Sequence, residues 1–135
     1  MSDPRVAKYL GKSHLELLYE FFLVEKLEKV GDKSKRIARY LRKSNMKEEE
    51  KKELERIYIS MRDAYNNVMK AYYKNDIKTA FDIEISNKEK IKAMNDFIKE
   101  RQNAYTHMVI EQMKSMSTSI KNIGRCVIGM EKNRA

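Results

Sequence analysis

The chain holds one cysteine, one proline, four glycines and no tryptophan among its 135 residues. A lone Cys126 excludes an intramolecular disulfide framework and fits a reducing compartment. The scarcity of glycine and proline removes the usual punctuation of loops and turns, and with Lys, Glu, Ile, Met and Leu dominant it gives an all-helical signature. No apolar run is longer than Phe21 to Val24, so nothing is long enough to span a bilayer. The opening residues, with Asp3 and Pro4, carry no apolar signal region, and the expectation is a cytoplasmic protein. Neither a glycine-rich phosphate loop nor a nucleophile elbow occurs. A glutamate-x-x-histidine pair is also missing, which argues against a ferritin-like di-iron bundle. His14 and His107 are isolated, and His107 has only Glu111 at helical spacing, so no oriented general base is in view and no catalysis is expected.

What is present is charge arranged around apolar seams. Charged residues make up 36% of the chain and hydrophobic residues 41%, and the mean hydropathy is −0.75, so faces must be strictly segregated. The length suits one domain, residues 1–135, able to bury a core without staples. A formal net charge of +9 favours phosphates, nucleic acids, anionic surfaces or acidic partners without choosing among them.

Four long helices are predicted, at about 13–43, 46–73, 76–103 and 106–131, forming an all-α antiparallel bundle of three to four long helices. In the first, Leu23, Leu27, Val30, Ser34, Ile37 and Leu41 recur at steps of four and three, and Ser13 with Glu16 reads as a capping box. Gly31 inside this pattern predicts a close approach by a neighbouring helix, since a mid-helix glycine otherwise costs about 1 kcal/mol against alanine. Asn45 with Glu48 reads as the cap of the second helix, whose seam runs Leu54, Ile57, Met61, Ala64, Val68 and Ala71. Tyr58, Tyr65 and Tyr72 flank that seam as a half-buried stripe. Lys74-Asn75-Asp76 is a turn. The third segment carries Ala80, Ile83, Asn87, Ile91, Met94, Ile98 and Tyr105, with Asn87 read first as a register-setting core amide and otherwise as a hydrogen-bond partner near a site. Asn103 or Thr106 is the next turn, because an unbroken helix to Met130 would run roughly 80 Å. The fourth seam is Val109, Met113, Met116, Ile120, Ile123, Val127 and Met130, with Cys126 beside it as a buried thiol.

Two short frames carry most of the functional signal. Glu28 and Asp32, within Leu27-Glu28-Lys29-Val30-Gly31-Asp32, stand one helical turn apart on one face and could offer oxygens to one hard cation. The competing reading is a solvated ion-pair ladder, with Asp32 and Arg36 as its best-placed rung. A near-copy, Ile120-Lys121-Asn122-Ile123-Gly124-Arg125, puts bases where the first frame has acids. Packing of the two helices could therefore pair Lys121 and Arg125 with Glu28 and Asp32.

The first frame, continued by Arg36-Ile37-Ala38, resembles the signature of the PhoU family. Its repeats end in a helix reading leucine-glutamate-arginine-isoleucine-glycine-aspartate and then asparagine-isoleucine-alanine. Asn75-Asp76 followed by Thr79-Ala80 resembles the family's turn before its middle helix, and the frame from Ile120 to Arg125 falls where the next signature belongs. The resemblance covers about Leu15 to Met130, as one closing helix followed by a full three-helix repeat, and it implies a shortened PhoU-like bundle.

What the resemblance implies about function is a cytoplasmic regulator of phosphate uptake or phosphate signalling, acting by protein–protein contact on a phosphate transporter or a sensor kinase. It also implies that Glu28 and Asp32 are candidate ligands of iron or zinc, a set that Glu25 could extend from one turn upstream. A shortened bundle would leave an apolar face, so a homodimer is an expectation. Two alternatives stand beside this reading. One is a metal-binding helical bundle. The other is a basic nucleic-acid-binding adaptor that uses Lys33, Lys35, Arg36, Arg39, Arg42 and Lys43, disfavoured because no helix-turn-helix, zinc finger or stacking platform accompanies the bases. Met94, Met108, Met113, Met116 and Met130 are seam fillers that could also furnish an adaptable binding groove.

Overall fold

A computed structural model describes residues 14–99 and 101–134, with side chains to residue 132. Ser13, half of the expected capping box, lies outside them. The described chain is four helices: α1 (His14–Ser44), α2 (Glu48–Lys74), α3 (Ile77–Ile98) and α4 (Ala104–Arg134). No strand occurs among the described residues.

The seams fold as the periodicity requires. Leu54, Met61, Ala64, Val68 and Ala71 of α2, Ala80, Ile83 and Met94 of α3, and every seam residue of α4 from Val109 to Met130 are buried; beside the third seam, Phe97 is buried where the seam residue Ile98 is only partly so. Helix α4 is buried around most of its circumference, Thr106, Ser117 and Ser119 included, because it is the centre of the assembly. It packs against α1, α2 and α3, whereas α1 packs against α4 alone and its backbone approaches neither α2 nor α3. Tyr19 of α1 lies against Gly129 at the end of α4, and the end of α1 meets the start of α4 through Ser44 and Asn103, so the two run antiparallel. Asn87 is buried as expected and accepts a hydrogen bond of 2.5 Å from the Ser117 hydroxyl, tying α3 to α4 in one register.

Helix boundaries depart from the sequence reading at three places. Asn45 does not cap α2. It adopts a left-handed conformation, φ 49°, and ends α1 instead, a role its short polar side chain tolerates. Lys47 is the N-cap of α2 and makes no side-chain cap bond there, and Glu48, Glu49 and Glu50 supply the favourable first-turn charge. The third helix stops at Ile98 rather than at residue 103, and α4 starts at Ala104 rather than at 106; the second of these boundaries is set by the Asn103 side chain, which accepts from the backbone N–H groups of Tyr105 and Thr106 at 2.9 and 3.3 Å. The turn at Asn75 and Asp76 forms as read. Asn75 is left-handed with φ 55°, and Asp76 accepts from the Thr79 N–H and hydroxyl at 3.1 and 2.7 Å. These bonds hold the Asp76 carboxyl below its ordinary range, the Thr79 hydroxyl bond being the largest cause. A folded-state pKa below the unfolded one means that this cap stabilises at neutral pH. Its contribution is lost as pH falls through that lowered value.

Gly31 is corrected outright. Nothing lies within 4 Å of where its Cβ would stand, so no neighbouring helix approaches it. The close approach belongs to Gly124, whose Cβ would lie 3.3 Å from the Ala80 carbonyl oxygen and 3.6 Å from a Val68 methyl. Gly31→Ala is therefore expected to raise stability by about 0.5–1 kcal/mol, through the entropy of the unfolded chain and helix propensity. Urea denaturation at dilute protein concentration measures it, and a loss of stability would mean that something does occupy that space.

Candidate functional site

Glu25, Glu28 and Asp32 all lie on the outward side of α1, and the ladder predicted as the competing reading is formed there. Glu25 pairs with Lys29 at 3.1 Å, and Asp32 with Arg36 at 3.2 Å. The Lys29 ammonium holds the Glu25 carboxyl below its ordinary range. Glu28 is exposed between them. These carboxylates come from one helix and two are engaged by cations, so the donor set falls short of what an iron or zinc centre requires. Among the described residues no three His, Cys, Asp or Glu side chains gather to hold a metal.

The two duplicated frames do sit on helices that pack together, but their charges do not meet. Arg125 turns to α3 and bonds Glu84 at 2.9 Å through its Nη2. The predicted pairing of Arg125 with α1 is thus replaced by a bond to α3, because Gly124 brings α4 against Ala80 and sets Arg125 beside that helix. Cys126 is buried, and burial pushes its thiol up and away from thiolate. His107 is held by its ring Nε2 against the Arg101 carbonyl, 2.5 Å away, while Glu111 pairs with Lys114 at 3.3 Å.

The most distinctive surface feature was not read from the sequence. Because α1 and α2 diverge over α4, they leave a groove of about 440 Å³. Ile37, Ala38 and Leu41 of α1 form one wall, Leu54 and Tyr58 of α2 the other, Met113 of α4 the floor, and Met46 closes one end. Lys51 and Glu55 stand at its rim on α2. Of the methionines proposed for an adaptable groove, Met113 is there and Met94, Met108, Met116 and Met130 are not. The available signal was local: Leu41 is a seam residue that stays 37% exposed, and the Tyr58 end of the tyrosine stripe is open while Tyr65 and Tyr72 are half-buried.

The groove's α1 wall belongs to the basic run. Lys35 and Arg42 lie one turn before and after Ala38, Arg42 donates to the Ala38 carbonyl at 3.3 Å, and neither has a carboxylate partner among the described residues. A second, polar cleft of about 620 Å³ lies between α2 and α3, lined by Ser60, Asp63, Asn67, Asp82 and Lys90 among others. Lys90 donates to the Ser86 hydroxyl at 3.0 Å, and burial pushes its ammonium pKa down. Acids and a base share this cleft, so it selects no one charge.

Chemically, the apolar groove can desolvate the hydrophobic face of a helix and can hold acids near its α1 edge. No family model, curated protein or solved structure matches the chain. None of the helices is long and apolar enough to cross a membrane, among the described residues.

Proposed function

We propose that this protein is a non-catalytic regulatory module that acts by holding an acidic amphipathic helix of a partner protein in the groove between α1 and α2. The observation that carries this reading is the divergence of α1 from α2 over Met113, which leaves Ile37, Leu41, Leu54 and Tyr58 around an open apolar channel beside bases that have no carboxylate partner among the described residues. A partner helix with apolar residues at i, i+3, i+4 and i+7 would fill the channel as α2 fills the other side of α4. Acids on its flank would face Lys35 and Arg42, and the net charge of +9 would speed the encounter.

The finer reading is a regulator of phosphate uptake, with a phosphate transporter or its sensor kinase as the partner. Its support is the likeness of Leu27 to Ala38 to the PhoU signature, together with the antiparallel packing of α1 on α4, the two helices that carry the duplicated frames.

The test uses a labelled amphipathic peptide with leucines on one face and glutamates on the other, against a twin carrying lysines, read by fluorescence anisotropy. The acidic peptide is expected to bind at least about tenfold more tightly than the basic one, and Tyr58→Glu at the groove rim to weaken it by about tenfold or more. Equal binding of the two peptides, or indifference to Tyr58→Glu, ends the groove reading. The finer reading is tested with the purified transporter and kinase of the host cell: binding that Tyr58→Glu abolishes is expected, and no binding to either ends it.

A further inference from the structure

Helix α1 is electrically split along its length. Residues 14–32 hold five acids and two bases, and residues 33–43 hold six bases and no acid. The exposed face of α1 carries Phe21, Val24, Glu28, Gly31 and Lys35, and Ala38 at its border with the groove, which recur at alternating steps of three and four. That is the spacing of a helix-pairing seam, and here it points to solvent. Phe21 is 58% exposed and Val24 53%, the space outside Gly31 is open, and Ala38 is exposed. Glu28 and Lys35 stand outside the ion pairs made by Glu25 with Lys29 and by Asp32 with Arg36.

We propose that α1 pairs antiparallel with α1 of a second copy of this chain across this face, about a two-fold axis crossing between Glu28 and Gly31. Charge complementarity selects this occupant and this orientation. The acidic half of each helix lies on the basic half of the other, twice over, whereas parallel pairing would set acid against acid and base against base. In this register Phe21 sits over Ala38 of the second copy, Val24 lies along the apolar stem of its Lys35, and Glu28 passes its Gly31 within reach of the Lys35 ammonium. The small residues at positions 31 and 38 let the helices come close. The interface goes beyond the groove reading; it shares Ala38 and the neighbouring Lys35 with the groove's α1 edge, but its apolar anchors Phe21 and Val24 lie outside the groove and Tyr58 lies outside the interface, so substitutions at Phe21 and at Tyr58 tell the two apart.

Sedimentation equilibrium on the full chain is the first arm. A monomer–dimer equilibrium is expected at or below roughly 100 μM protein. It should weaken at least about tenfold with Phe21→Glu and also weaken on raising salt. Tyr58→Glu, at the groove, should leave it unchanged. The second arm is a disulfide in a Cys126→Ser background. Phe21→Cys with Ala38→Cys should oxidise to a covalent dimer, since within one chain the two positions are roughly 25 Å apart, too far to bridge. A strict monomer in the concentrated sample overturns the proposal. So does association that ignores Phe21→Glu or salt, a dimer lost with Tyr58→Glu, or cross-linking by Phe21→Cys alone as efficient as by the pair. Phe21 is exposed, so its variants are expected to fold, and circular dichroism confirms that each has done so.

Discussion

Phe97→Ala is expected to cost about 3–5 kcal/mol of stability, the range for removing a fully buried aromatic ring. On a chain of this size that lowers the melting temperature by roughly 10 °C or more. Phe97 is 1% exposed, and its environment leaves little room for collapse into the void. The Arg101 guanidinium lies over the ring at 4.0 Å from its centroid and donates to the Phe97 backbone carbonyl. The same guanidinium pairs with Glu50 at 3.2 Å and Glu53 at 3.4 Å, so it joins the end of α3 to the first turns of α2. Removing the ring opens a cavity and also takes away the platform on which that cation rests. Phe97→Leu keeps much of the volume and is expected to lose less than half as much. Thermal denaturation followed by circular dichroism decides it. A cost below about 1 kcal/mol for the alanine would mean that α2 and α3 close the gap without the ring.

Phe97 also shows where periodicity reaches its limit. The seams at steps of four and three located the core of α2, α3 and α4, because burial of an apolar stripe dominates the fate of a long amphipathic helix. The third seam runs through Ile91, Met94 and Ile98, and it passes over the neighbouring residue that is the most buried ring among the described residues. A seam predicts which side is covered and not how many neighbours cover it. Helix α4 touches three helices, so residues beside its seam, such as Ile110 and Ile128, are as buried as those on it. Helix α1 touches one, so its seam residue Leu41 stays partly in solvent.

The candidate site divides in the same way. The Asp32–Arg36 rung was legible because an i,i+4 pair is set by one helix alone. The destination of Arg125 was not, since it depends on which helix lies beside α4 at Gly124, and no local pattern states that. Gly31 and Gly124 occupy the same place in the two frames, yet one faces open space and the other a carbonyl oxygen at 3.3 Å. The groove was hidden for a related reason: it is a gap between two helices that each look complete. What the sequence did supply was the basic run along its α1 wall, whose charges only acquire a direction once Ala38 and Leu41 are seen to border an apolar channel.

Asn103→Ala is expected to cost about 2–4 kcal/mol, more than a helix cap alone accounts for. Its side-chain oxygen accepts from the N–H groups of Tyr105 and Thr106, and losing that cap is worth about 1 kcal/mol. Its side-chain nitrogen donates to the Ser44 carbonyl at 2.8 Å across the α1–α4 junction. Ser44 is 2% exposed, so the carbonyl left behind has little water to turn to, and an orphaned acceptor costs about 1–3 kcal/mol. Serine separates the two contributions, since it can cap α4 but is too short to span to Ser44. Asn103→Ser should therefore lose only the second part. The junction also anchors the short link at whose centre Met46 closes one end of the groove. Asn103→Ser is thus expected to weaken binding of the acidic peptide while helix content, read by circular dichroism, stays unchanged. Urea denaturation of the two variants and peptide anisotropy on Asn103→Ser test the chain of reasoning together. If serine matches wild type in both stability and binding, the bond to Ser44 contributes nothing, and the groove is held open by the divergence of α1 and α2 alone.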